Sequence, residues 1–195
     1  NATNAELLRQ YILKIRELYP DTQVDFVTHS MGSLLARRYM LDHPSDHHVE
    51  HCAMIAGPFL GAPISYYRLL KGDFFGFKIL DLIDNGAITE ILKNFSGFHE
   101  LFPSHHYFQL SDSQPKAKCL FAEVGWDLNG DGIACDEWSE TQIRNFFDEK
   151  YPSQPVKVCE DFHVPSQDDW SESNLGIKFL HVVGVQSRPG TTIRV

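Results

Sequence analysis

Residues 24–40 read VDFVTHSMGSLLARRYM, and this stretch decides the fold. Residues 23–28 alternate apolar and polar positions and are rich in Val, Phe and Thr, which predicts a half-buried strand. Residues 31–42 follow at once with Leu34, Leu35 and Leu41 at helical spacing, closed by Pro44. Strand, sharp turn and helix therefore meet at Thr28-His29-Ser30-Met31-Gly32.

The neighbouring segments extend the same alternation. Residues 4–19 carry Leu8, Ile12, Ile15 and Tyr19 at helical spacing, with Asn4 as the expected N-cap and Pro20-Asp21 as the stop. Residues 49–57, VEHCAMIAG, read as a second buried strand, and 177–185, IKFLHVVGV, as a third. Helix, strand, helix, strand is the pattern of an α/β fold with a parallel sheet.

Between the second and third strands lies a long segment rich in Phe, His, Gly and Asp. It is expected to form a large cap or lid insertion. The expected organisation is a core over 1–58, an insertion over 59–175 and a return to the core over 176–195. Helical patterns span about 77–95, with a break at Asn85-Gly86, and 139–149, where Ser139 and Gln142 have capping-box spacing.

Composition narrows the chemistry. A formal charge of -9 argues against nucleic-acid binding, which needs a basic footprint. No apolar run reaches the roughly 20 residues of a membrane-spanning helix. The chain begins Asn1-Ala2-Thr3 and stops at Val195 just past a core strand, so it is expected to be cut at both ends. Cys52 reads as a free core thiol. Cys119, Cys135 and Cys159 allow one disulfide, with Cys135 paired to either of the others.

Small-x-Ser-x-Gly between a strand and a helix is the pattern of a nucleophile elbow. The tight turn would lift the Ser30 hydroxyl above the sheet, and the Met31 backbone N–H would donate to a developing oxyanion at the helix N-terminus. Thr28 stands where a glycine is commoner. The competing reading makes Ser30 an ordinary helix N-cap. His29, Phe59 and Leu60 are the candidate substrate-binding residues. His163 and His181 come late enough in the chain to be considered as a base, but neither sits where this fold places one. The remaining histidines, at 43, 47, 48, 51, 99, 105 and 106, share no helical face and are expected at the solvated surface.

The segments THSMGSLLARRYM and CAMIAGPFLGAP resemble the lecithin:cholesterol acyltransferase-like branch of the α/β-hydrolases. Gly57-Pro58-Phe59-Leu60-Gly61-Ala62-Pro63 matches that branch's turn after the second strand, and ELFPSHHYF and FLHVVGVQSRPGTT are similar to later segments. The resemblance implies a partial α/β-hydrolase fold and a serine-dependent lipid acyl hydrolase or O-acyltransferase. Its substrate would be a lipid or another ester, and it would need no organic cofactor. It also implies that the catalytic Asp and His follow the third strand, beyond Val195, and that a second oxyanion donor precedes residue 1.

The insertion carries a second informative stretch, DLNGDGIACDEW at 127–138. Asp127, Asn129 and Asp131 hold positions 1, 3 and 5 of an EF-hand-type loop, with Gly132 at the turn and the Ile133 carbonyl at position 7. Trp138 replaces the usual closing Glu, so Asp136 or Glu137 is expected to complete the shell. A structural calcium ion, and hence an exported or lumenal protein, is the expectation. The alternative is an Asx-rich turn without an ion. Residues 66–77, YYRLLKGDFFGF, read equally as core or as a membrane-surface contact. A functional alternative is a catalytically silent calcium-binding or adhesion module on a hydrolase scaffold.

Overall fold

The computed structural model describes residues 2–72, 85–112 and 140–184. In chain order the elements are α1 (Ala2–Leu18), β1 (Val24–His29), α2 (Met31–Asp42), β2 (Val49–Ile55), α3 (Ile64–Lys71), α4 (Asn85–Lys93), α5 (Ser96–His99), α6 (His105–Asp112), α7 (Glu140–Lys150), α8 (Pro155–Phe162), α9 (Pro165–Asp168) and β3 (Lys178–Val182). They divide into two units. One joins Asn1–Phe59 to Val164–Val195, and the other is Leu60–His163.

The first unit is a parallel sheet in the order β1-β2-β3 with flanking helices, a partial α/β fold. Phe26, Cys52 and Phe179 stand in register, as do Thr28, Met54 and His181. These rows face the helices, because side chains alternate across a strand and only one set can meet α1 and α2. Ala5, Ile12, Ala36, Tyr39, Met40, Cys52 and Met54 form the core there. The opposite rows are open: Val27 is 77% and Leu180 60% exposed.

The helical period of α1 is only half used. Ile12 is buried and Leu8 packs on the core, while Ile15 and Tyr19 remain exposed. Asn4 lies inside the helix rather than capping it, since α1 already runs from Ala2. Cys52 is a free, buried thiol pushed up to about 11 by burial, with Glu172 adding to the shift, and so is unreactive as a thiolate.

The second unit packs around aromatic rings. Tyr66, Phe102 and Phe147 pack in tilted and edge-on contacts with centroids 4.3–5.5 Å apart. Tyr66 and Leu69 are fully buried, so the described part of the 66–77 stretch supplies core. Cys159 is also buried, and its S–H donates to the Phe102 carbonyl at 3.3 Å. Cys119 and Cys135 lie outside the described residues.

Two histidines expected at the surface are buried instead. In the first unit His47 Nδ1 accepts the Val49 N–H at 2.9 Å, leaving Nε2 to donate to the Leu175 carbonyl at 3.0 Å. In the second unit His99 donates from Nε2 to the Leu92 carbonyl at 2.9 Å. Its Nδ1 is buried with no partner among the described residues. Burial therefore holds the His99 pKa below its ordinary value, since a second N–H would have no acceptor.

The unfolded chain takes up this proton near pH 6.5, where the folded chain does not. Stability is thus expected to fall as pH drops below about 6.5. His99→Gln should flatten that dependence. Urea midpoints at pH 7.5 and 5.5 for both proteins check it, and equal pH-induced losses would show that His99 contributes nothing.

Candidate active site

β1 ends at His29 and α2 begins at Met31, so a single residue, Ser30, makes the whole turn. Its backbone sits at φ 53°, ψ -123°, a conformation that L side chains rarely adopt. Such a geometry costs on the order of 1–3 kcal/mol and persists only where its surroundings enforce it. The enforcement is visible. The Ser30 N–H donates to the Ile55 carbonyl on β2 at 2.9 Å, and its carbonyl accepts the Ser33 N–H at 2.9 Å.

A helix N-cap would turn its side chain back onto the free N–H groups of the first turn. Ser30 makes no such bond. Its Oγ has no hydrogen-bond partner among the described residues, and neither do the Met31 and Gly32 N–H groups at the start of α2. Ser30 thus combines strained backbone with a hydroxyl that does not cap α2.

Around it, Thr28 proves more than a tolerated irregularity. Its hydroxyl lies 3.3 Å from the Ala53 carbonyl and 2.9 Å from Ser33 Oγ. If Thr28 donates to Ala53, Ser33 donates to Thr28, and β1, β2 and α2 are tied together directly beneath the turn. A Cβ added at Gly32 would meet Thr28 Cβ at 3.8 Å, an ordinary contact. Gly57 is different. A Cβ there would come within 2.7 Å of the Phe59 ring and 2.8 Å of Ser33 Cβ.

Gly32→Ala is accordingly expected to be neutral or stabilising by up to about 1 kcal/mol, as for any helical glycine with room. Gly57→Ala should cost about 1–3 kcal/mol by overpacking. Thermal denaturation of both variants checks this, and equal melting temperatures would contradict the geometry.

A model of the lecithin:cholesterol acyltransferase family matches residues 3–174. The chain belongs to this family. Membership places it among lipid acyltransferases and hydrolases, with lipid substrates. No curated protein and no solved structure matched.

The other residues singled out from the sequence of this acyltransferase-family chain fall as follows. His29 ends β1 on the open face of the sheet, in register with Ile55 and Val182. Phe59 lies in the first unit, its ring against Trp170 and His181 at 6.0 and 5.8 Å. Leu60 belongs to the second unit, where its carbonyl accepts the Ser104 N–H. None of the described histidines is hydrogen-bonded to Ser30. His181 Nε2 pairs with Glu172, and His163 Nε2 donates to the Glu100 carbonyl at 3.0 Å. Asp127, Asn129, Asp131, Ile133 and Asp136 lie outside the described residues, as do Ser139 and residues 77–84.

A polar cleft of about 340 Å³ opens in the second unit, lined by Arg144, Glu140, Glu160, His105 and Cys159 among others. Arg144 is shared between Glu140 at 2.7 Å and Glu160 at 3.0 Å, and Glu140 also pairs with His105. Its cation is already matched, so the cleft offers no charge to an anionic ligand.

Two features near the turn escaped the sequence. Ala56 has φ 49°, so a second strained residue follows β2 directly, its N–H donating to the Val182 carbonyl at 2.9 Å. Arg37 is fully buried on α2 and pairs with Asp168, also buried, at 3.3 Å. Burial lowers the Arg37 pKa, and the Asp168 carboxylate pulls it back up. The signal was a charge at i+3 from Leu34 on the apolar side of a helix.

Proposed function

We propose that this protein is a serine-dependent lipid acyl hydrolase or O-acyltransferase that works through an acyl-enzyme on Ser30. The observation that carries the reading is the left-handed backbone of Ser30, at φ 53°, with a side chain that caps nothing. The Ser30 oxygen attacks the ester carbonyl, and its proton passes to a general base. The carbonyl oxygen takes negative charge against the Met31 N–H. The C–O bond to the leaving alcohol breaks, and the base returns the proton to that alcohol. Water or a second alcohol then releases the acyl group from Ser30. Family resemblance assigns the base and its orienting carboxylate to a His and an Asp that follow the third strand. His29, Phe59 and Leu60 remain the substrate-contact candidates.

Full-length protein incubated with phosphatidylcholine vesicles and an added alcohol is the test. Free fatty acid or a new ester is expected. Neither product, from this or a short-chain ester, would overturn the reading.

The loop at 127–138 is taken as a structural calcium site, on the strength of its alternating acidic residues and Gly132. An exported or lumenal location would supply that ion. Calorimetry with calcium is expected to give a binding isotherm that is lost in Asp127→Ala with Asp131→Ala. No heat from the wild type would refute the site.

A further inference from the structure

We infer that Arg37 is a positioning residue for Ser30 chemistry, acting through Phe59; the inference rests on Ser30 being the nucleophile. Arg37 lies two turns into the helix that Ser30 begins, and its guanidinium reaches the turn leaving β2. Nη1 donates to the Phe59 carbonyl at 3.2 Å, and the group lies 5.5 Å from the centre of the Phe59 ring. Asp168 holds the guanidinium from the other side at 3.3 Å.

Phe59 in turn fills the space beside Gly57, the space bounded by Ser33. Ser33 donates its N–H to the Ser30 carbonyl and shares a hydroxyl contact with Thr28. A line of close neighbours therefore runs from Arg37 through Phe59 and Gly57 to Ser33 in the first turn of α2, where Ser30 and the Met31 amide must hold their positions. The planar guanidinium is needed for this. It makes an in-plane bond to one backbone carbonyl, an ion pair to a carboxylate and a face contact to a ring, which a lysine ammonium cannot reproduce together. Phe59, singled out as a substrate contact, has in this account a second task as the transmitting side chain.

The experiment measures the rate at which a fluorophosphonate probe labels Ser30 in the full-length protein. It is run below the unfolding transition of every variant. The variants are Arg37→Lys and the double change Arg37→Met with Asp168→Leu, which removes both buried charges. Ile12→Ala, in the α1 face of the core, is the stability control.

A displacement of about 1 Å at a reacting group costs up to roughly 100-fold. Labelling is therefore expected to fall about 10- to 100-fold in both Arg37 variants and to stay at the wild-type rate in Ile12→Ala. In a Phe59→Ala background, Arg37→Lys should add no further loss. Wild-type labelling rates in folded Arg37→Lys and in the double variant would overturn the inference alone. So would a full additional loss in the Phe59→Ala background. A wild type that takes no label at Ser30 would overturn both this inference and the proposed function.

Discussion

Ser30→Ala is expected to lower ester turnover by the full-length protein by a factor on the order of 10⁴–10⁶, the range found when a serine nucleophile is removed. Substrate binding should change little, because the hydroxyl contributes to the covalent step and not to ground-state affinity. A companion variant separates chemistry from folding. Ser30→Gly removes the same hydroxyl and also relieves the left-handed backbone strain at φ 53°. It is expected to be equally inactive yet more stable by about 1 kcal/mol. Urea titration of the two variants measures the difference. A protein that gains stability on losing its reacting residue has stored strain at its active site. A Ser30→Gly variant less stable than wild type would mean that the turn is not strained.

The second large effect is on stability. Arg37 and Asp168 have side chains 0% and 1% exposed and pair at 3.3 Å. Asp168→Asn takes a buried carboxylate away from a buried guanidinium, and should cost about 3–5 kcal/mol. Replacing both partners by apolar residues removes the desolvation penalty together with the attraction. Arg37→Met with Asp168→Leu is therefore expected to recover most of that loss. Chemical denaturation of the single and double variants reads the coupling directly, and additive losses would show that the pair does not act as a unit.

The sheet and the strand-to-helix turn at Ser30 were legible because they follow simple periods. Alternation over 23–28 gave β1 at Val24–His29, and the Leu34–Leu41 spacing gave α2 at Met31–Asp42. The strained turn at Ser30 was legible from the tight small-x-Ser-x-Gly pattern, and its φ of 53° agrees; whether the side chain caps α2 was not, since serine is also a favoured N-cap. His47 and His99 were misread as surface residues because sequence spacing carries no trace of the carbonyls that satisfy them. Arg37 left only a weak trace, its i+3 spacing from Leu34. Its partner Asp168 lies far along the chain, and Arg37, beside Arg38, looks like any solvated charge. The second unit follows no single period, because large rings at irregular spacing, Tyr66, Phe102 and Phe147, build its core.

The central claim is that Ser30 is the residue that carries the acyl group. Site-resolved mass spectrometry of the full-length protein after fluorophosphonate treatment tests it most directly. One phosphonyl adduct is expected, on the hydroxyl of Ser30, lost in Ser30→Ala and slowed by competing lipid ester. An adduct on any other residue, or equal labelling of wild type and Ser30→Ala, would contradict it.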